Sequence, residues 1–523
     1  MNQKQVGSFT QPMSLHKKFL VLIVTFSALL EIIDSTIVNV ATPDIMGNLG
    51  TTLDQISWAT NAYSISNLLT VIIAPWLANK LGRRNYIVGS MLIFTLCSYF
   101  CGQATNVWEL VFFRFLQGAG GGAFLVTGQT IVIESFPKEK LQMANALFTM
   151  GLILGPALGP VLGGYLVESF SWPYIFYINI PLGIIATIGL YSLVEDSPYR
   201  NKNAKIDKVQ YTFLALFVMS FITVLENGER EDWFAEPYIV VLTIIACITL
   251  LCYIFSSLKS KHPVINFHLF KDKNFAIFNI VNILSSIGMY SSTFSAPIFT
   301  QQILGYSPLQ NALLILPATT LGLLLTPWVG KIPKKMSYLI AANLLSSVAI
   351  ITFASLFFHS TPDISGHRIT TMYIIRSLGF TLLFSPLSTL MFMNIKPENL
   401  SDASSTYSTI RKLSQTMGVA FTSTFIAQRL PVKEQQIGTM VQASSVGYQH
   451  RLHELIDKLQ GMGHSLTEAT SKAQQLLHSS YVEQFTFAGY RDAYAITLFS
   501  FLTCIIIVTL YTAYLLKEKG EKK

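Results

Sequence analysis

Apolar runs of about 18–25 residues recur along the whole of this 523-residue chain, and they leave it few possible folds. A helix rising 1.5 Å per residue needs about 20 such residues to cross roughly 30 Å of hydrocarbon. Only 12% of the residues are charged, against about 25% in an average soluble protein. In lipid every backbone polar group must be satisfied internally, so runs of this kind are helices. Spans are expected over 19–41, 56–78, 86–104, 109–131, 144–166, 179–194, 210–226, 238–257, 275–298, 309–330, 337–358, 370–393, 405–428 and 492–516. Fourteen is an even number, which puts both termini on one side.

The charges say which side. One set of alternating loops carries Lys80, Arg83 and Arg84; Lys138 and Lys140; Arg200, Lys202, Lys205 and Lys208; Lys259, Lys261, Lys271 and Lys273; and Lys331, Lys334 and Lys335. The other short loops offer Arg230 and Arg368. By the positive-inside rule the first set and both termini are cytoplasmic. The net charge of +8 is thus spent on topology, which excludes a nucleic-acid partner. Cys97, Cys101, Cys247, Cys252 and Cys504 all fall within apolar runs, where a thiol behaves as a small hydrophobe, so neither a disulfide nor a metal site is expected. No phosphate-binding G-x4-G-K-[ST] loop occurs, so ATP is not the energy source. The nine histidines lie in loops or at span ends, which excludes a histidine relay across the membrane. The first run carries Glu31 and Asp34 and lacks a convincing small-residue cleavage site, so it reads as an uncleaved span.

An internal repeat is visible. Pro75-Trp76-Leu77 ends the second span before Lys80, Arg83 and Arg84, and Pro327-Trp328-Val329 ends the tenth before Lys331, Lys334 and Lys335. Two spans further on, each copy has an intramembrane arginine followed by glycine, Arg114 to Gly118 and Arg376 to Gly379. The expected architecture is all-α, in a 6+2+6 arrangement. Residues 1–196 form one six-helix bundle, 197–270 an inserted helix pair with its linkers, and 271–523 a second, pseudo-symmetric bundle. Between spans 13 and 14, residues from about 430 to 490 exceed a bare connector. Leu452, Leu455, Ile456 and Leu459 have helical spacing, Gly461 and Gly463 break it, and Ser465 with Glu468 predicts a capping box. A helical hairpin outside the membrane is expected there.

Three stretches carry chemistry. In the fifth span Gly151, Gly155, Gly159 and Gly163 recur every four residues, with Gly164 adjoining, and such a face lets another helix backbone approach closely. Pro156 and Pro160 each remove a backbone donor, which predicts a kinked, pliable helix. In the first span Glu31 and Asp34 are three residues apart on one face. A mid-membrane carboxylate costs about 2.5–3.5 kcal/mol on insertion scales and usually marks an ion or proton pathway. Arg114 falls at about the depth of Asp34, within reach of an ion pair, and Gln117, Gly118 and Gly120 follow it at a tight helix contact. Arg376 and Arg411 are the charged candidates of the second half.

These stretches together resemble the fourteen-span drug:proton antiporters of the major facilitator superfamily, the EmrB/QacA branch, closest to the EmrB-type multidrug exporters. The glycine-proline ladder is similar to the branch's antiporter motif, the Asp34 segment to its first-helix motif, and Arg114-x-x-Gln117-Gly118-x-Gly120 to its arginine motif, associated with proton transfer. Ser171 to Pro181, Gln301 to Pro308, and Ala403 to Ala420 match as well. Asn79, Lys80, Gly82, Arg83 and Arg84 resemble the superfamily's cytoplasmic gate loop. Pro75 stands there where glycine is usual and Asn79 where aspartate is, so the charged latch of that gate is weakened. Asn79 is expected to accept a hydrogen bond from a facing helix N-terminus instead.

The resemblance implies a major facilitator fold with 14 helices and no enzymatic activity. It implies no cofactor beyond a proton gradient acting through Asp34, Glu31 and Arg114. It implies export of neutral, weakly acidic or monocationic lipophiles from an inner membrane, with a periplasmic adaptor and an outer-membrane channel as partners. An exporter of one metabolite, and a transporter-like sensor or scaffold without turnover, are the competing readings.

Overall fold

The computed structural model of the protein describes residues 15–136, 141–197, 200–203, 205–260, 263–333, 335–361, 364–440 and 446–521. Lys138, Lys140, Lys261 and Lys334 of the basic loops lie outside them. The described residues form helices and no strand. In chain order the helices are α1 (Leu15–Leu49), α2 (Leu53–Leu81), α3 (Arg83–Gly102), α4 (Val107–Ser135), α5 (Leu141–Ser169), the single turn α6 (Tyr174–Tyr177) and α7 (Asn179–Leu193). Then come α8 (Lys208–Asn227), α9 (Pro237–Lys259), α10 (Lys273–Ile298), α11 (Pro308–Val329), α12 (Met336–Phe358), α13 (Gly366–Phe392), α14 (Leu400–Met440), α15 (Val446–Gly461) and α16 (Leu466–Glu521).

Local chemistry sets the helix ends. Asn106 Oδ1 accepts from Glu109 N at 3.0 Å to cap α4. Ser307 and Gln310 form a reciprocal capping box at α11, with Pro308 in the first turn. Gly82 makes the break between α2 and α3 at φ +91°, a conformation that L side chains rarely adopt. A Cβ there would also lie 2.7 Å from the Asp196 carboxylate. α5 runs as one helix through both Pro156 and Pro160.

Every expected span overlies a helix, but length and composition do not establish fourteen crossings. Eleven helices among the described residues are long and apolar enough to cross a membrane. The apolar part of α11, Leu313–Val329, is shorter, and α2 and α14 do not qualify. The reason lies in their packing. α2 carries Asn61, Ser66 and Asn67, and α14 carries Ser404, Ser405, Thr406, Ser408, Thr409 and Arg411, all buried against protein instead of lipid.

In the N-terminal half, α2 and α3 pack on α4, α1 on α5, and α7 on α1 and α3. In the C-terminal half, α12 and α11 pack on α13, while α16 packs on α10, α12 and α14. α8 and α9 pair with each other, and α8 also touches α2 and α14. The halves meet where α5 packs on α11 and α13, and where α14 packs on α2 and α4. At the end carrying the basic loops this contact is closed. Asn145 Nδ2 donates to Thr389 Oγ1 at 3.0 Å, Ser405 Oγ donates to the Val71 carbonyl at 2.8 Å, and Gly330 sits against Met143 and Ala146.

The hairpin forms, with longer legs than its sequence suggested. α14 continues to Met440, and α16 runs unbroken from Leu466 to Glu521, 56 residues, or about 84 Å at 1.5 Å per residue. Gly463, at φ +94°, makes the turn after α15. The Ser465 amide donates to Glu468 Oε2 at 3.2 Å and the Glu468 amide to Ser465 Oγ at 3.4 Å, the capping box expected there. The bond from the Ser465 amide to its charged form is the main cause that holds the Glu468 carboxyl below its ordinary range. At the hairpin's base, Asp492 of α16 pairs with Lys433 of α14 at 3.1 Å.

Candidate functional site

The glycines of α4 and α5 bring the polar residues together. In α5, Gly151 packs on Thr25, Gly155 on Ile32, Gly159 on Thr36 and Gly163 on Ile37, so the ladder is the seam against α1. Gly164 faces open space. In α4, Gly118 and Gly122 abut the backbone of α2 at Tyr63 and Asn67, and Gly120 abuts α3 at Ser90 and Phe94. The opposite side of α1, bearing Glu31 and Asp34, is thereby pressed against α2 and α4.

Asp34 and Arg114 are both fully buried and pair at 2.6 Å. The other carboxylate oxygen accepts from Gln117 Nε2 at 2.9 Å and from Asn179 Nδ2 at 2.7 Å. Gln117 also accepts from Arg114 at 2.8 Å and donates to Ser98 Oγ. The guanidinium lies 4.0 Å over the Tyr63 ring, a cation-π contact that compensates part of its desolvation. Five helices thus contribute to one carboxylate. Its neighbours Asn179, Ser98 and Tyr63 were not picked out by sequence reasoning, although Asn179 stands in the Ser171 to Pro181 match.

Glu31 shares the face of Asp34 but points to a different partner. Its Oε1 accepts from Asn67 Nδ2 at 3.0 Å and from Lys412 Nζ of α14 at 3.0 Å. Lys412 also donates to Asn67 Oδ1. Glu31 Oε2 is buried with no hydrogen-bond partner among the described residues. Lys412 is the functional candidate that the sequence reading passed over in favour of its neighbour Arg411. The signal was available, since a lysine in the middle of an expected span is costly in hydrocarbon and usually functional.

The second-half arginines sit differently. Arg376 donates to the Ser292 carbonyl at 3.2 Å and lies among the rings of Tyr373, Phe380 and Phe353. It occupies the place in its half that Arg114 occupies in the first, with a carbonyl where Arg114 has Asp34. Arg411 lies 5.2 Å from the Tyr407 ring and 5.9 Å from Phe384. Neither arginine has a carboxylate ion-pair partner among the described residues.

The gate loop packs on the first bundle and on the linker that follows it. Asn79 Oδ1 accepts from the Asn201 amide, in the segment after α7, and not from a facing helix N-terminus. Arg200 donates to the carbonyls of Asn79 and Lys80 and pairs with Asp196 at 2.8 Å. Arg83 forms a two-pronged ion pair with Glu134 at the end of α4, 2.6 and 2.9 Å. Arg84 lies 4.1 Å over the Tyr191 ring. The sequence repeat has a structural counterpart, for Lys80 lies 4.8 Å over Trp76 and Lys331 4.7 Å over Trp328.

Comparison with known proteins agrees with this architecture. Residues 24–419 match the Major Facilitator Superfamily. The chain is 26% identical over 463 residues to the multidrug export protein EmrB of Escherichia coli K12, covering 88% of this chain and 89% of that protein. It is 30% identical over 416 residues to the probable multidrug resistance protein EmrY of the same organism, covering 79% and 81%. It is also 30% identical over 403 residues to the fatty acid resistance protein FarB of Neisseria gonorrhoeae, covering 76% and 79%. Among solved structures, the human organic anion transporter MFSD10 superposes with a TM-score of 0.60 over 94% of this chain and all of that one, at 12% identity, a likeness of fold.

Proposed function

This chain belongs to the Major Facilitator Superfamily and is a multi-pass membrane protein, and on that premise we propose that it is a proton-driven exporter of diverse lipophilic molecules. The observation that carries the reading is the sealed network around Asp34, a carboxylate with a cation and two amides arranged on it in the interior of a helix bundle. Burial opposes ionisation of Asp34, and the adjacent guanidinium favours it. A small change in wetting therefore shifts its protonation state as the halves alternate. Arg114 supplies the counter-charge when no proton is bound, and Glu31 on the same face shares the proton path. The driving force is about 2.3 kcal/mol per charge per 100 mV. No further cofactor enters the cycle. The names of EmrB and EmrY favour many drugs as substrates over a single metabolite, and the buried pair of Asp34 with Arg114 favours turnover over a sensor or scaffold.

The reading places the protein in the inner membrane with both termini cytoplasmic, which makes the basic-loop end the cytoplasmic one. Residues 1–196 and 271–523 act as the two rocking bundles, with 197–270 as an inserted pair. Asn79, Lys80, Gly82, Arg83 and Arg84 serve the cytoplasmic gate, with Ser405 and Asn145 making its direct links between the halves. The deciding experiment is flux of a fluorescent lipophile in proteoliposomes under an imposed proton gradient. Uptake that ignores the gradient would reduce the protein to a binder.

The polar centre of the second half is cationic, with Arg376, Arg411 and Lys412, so hydrophobic weak acids are expected to be exported at least tenfold faster than dicationic biguanides. Equal rates for the two would overturn that preference. The α15–α16 hairpin is read as the docking surface for a periplasmic adaptor leading to an outer-membrane channel. Replacing residues 440–485 by a short linker is expected to preserve flux in vesicles and abolish resistance in cells. Unchanged resistance would mean the hairpin docks nothing.

A further inference from the structure

Of the ion pairs among the described residues, the one between Glu31 and Lys412 ties α1 of the first half to α14 of the second. It lies above the closed contact at the basic-loop end. Ser405, whose hydroxyl bonds to α2, precedes Lys412 by seven residues on the same helix, or about 10 Å along its axis. Glu31 is 3% exposed, and one of its oxygens is already committed to Lys412 and Asn67 while the other has no hydrogen-bond partner among the described residues. The second oxygen is therefore the one available to a proton.

We propose that Lys412 is a positioning residue for transport: it holds the halves together at the basic-loop end while Glu31 is ionised and releases them when Glu31 takes up a proton. An ionised Glu31 and Lys412 compensate each other at a largely buried interface. Protonation of Glu31 leaves Lys412, a part-buried cation whose side chain is 18% exposed, without a counter-charge, which is unfavourable, and separation of the helices lets it hydrate fully. The other groups facing Glu31 do not replace the lost charge. Asn67 and Tyr63 of α2 are neutral, Asp34 of α1 is occupied by Arg114 of α4, Arg411 of α14 lies against Tyr407 and Phe384, and Tyr290 of α10 is a phenol. Protonation thus favours opening toward the basic loops, and deprotonation favours closure there. This division of labour rests on the proposed function, in which that end is cytoplasmic: Asp34 carries the proton within its bundle, and Glu31 reports protonation to the other half.

The test measures distance rather than flux. In full-length protein in lipid nanodiscs, with Cys247 and Cys252 replaced by serine, spin labels at Leu81→Cys and Tyr338→Cys report the separation of the halves at the basic-loop end. At pH 8 the short distance is expected to dominate, with a longer one growing in on acidification. Glu31→Gln and Lys412→Met are each expected to raise the long-distance population at least tenfold at pH 8. Lys412→Arg keeps the charge and the wild-type distances. Reversing the pair, Glu31→Lys with Lys412→Glu, is expected to restore the short distance. Wild-type distances in both single variants, or a folded reversed pair that stays open, would overturn the proposal. Flux of the same variants in proteoliposomes separates it from the exporter reading. Proton-driven export with distances that ignore Glu31 and Lys412 refutes the latch alone, and a responsive latch without export refutes the exporter alone.

Discussion

Asp34→Asn is expected to bind substrate and to lose all accumulation against a gradient. The amide has the shape of the protonated acid and keeps an oxygen for Gln117 and Asn179, but it cannot exchange a proton at any physiological pH. It also leaves Arg114, fully buried, without its counter-charge. Breaking a buried pair from one side costs about 3–5 kcal/mol, so the variant should also melt at a lower temperature. Arg114→Ala is expected to lose coupling too, for the opposite reason: Asp34 then lacks the cation that compensates its charge. The double variant, Asp34→Asn with Arg114→Gln, is expected to recover most of the stability and none of the coupling, because replacing both members removes the stranded charge. Thermal melting with substrate-binding and gradient-driven flux measurements reads all three. Full proton-driven export by Asp34→Asn would make Asp34 a packing residue and Glu31 the leading carrier.

Gly122→Ala is expected to be among the most damaging single-methyl additions in the first half. Its Cβ would stand 2.4 Å from the Asn67 carbonyl, and that of Gly118→Ala 2.4 Å from the Tyr63 carbonyl. Backbone cannot rotate out of the way, so α2 must retreat from α4. That displaces Tyr63 from Arg114 and Asn67 from Glu31 together. Overpacking of this kind costs about 1–3 kcal/mol, and coupled flux should fall with it. Gly159→Ala meets the Thr36 hydroxyl at 2.0 Å, a side chain that can turn aside, and is expected to be milder despite lying in the antiporter motif. Gly164→Ala has nothing within 4 Å and should behave as wild type. Expression level and melting temperature across the four alanines give the ranking. If Gly164→Ala proves as harmful as Gly122→Ala, steric approach of α2 to α4 is not what the glycines provide.

The helical class, the positions of the helices and the internal repeat could be read from the sequence. Each rests on a one-dimensional property: run length against membrane thickness, the distribution of basic residues, and recurring short patterns. The same holds for the glycine seam, because a four-residue spacing lines up on one helical face whatever the partner is. Asp34 with Arg114 could be anticipated because both charges are costly in hydrocarbon and stand at equal depth. Which helices would meet was not accessible in this way. That Gly118 and Gly122 serve α2 while Gly151 to Gly163 serve α1, that Asn179 and Ser98 complete the Asp34 network, and that Asn79 turns to Asn201 in the linker after α7 are consequences of packing between segments remote in sequence. Glu31 shows the limit most plainly. Spacing put it on the face of Asp34, but only the tertiary structure decided that its partner is Lys412, 381 residues away. An ion pair is set by distance in space, and helical periodicity fixes the direction in which a side chain leaves its own helix, not the residue of another helix that it meets.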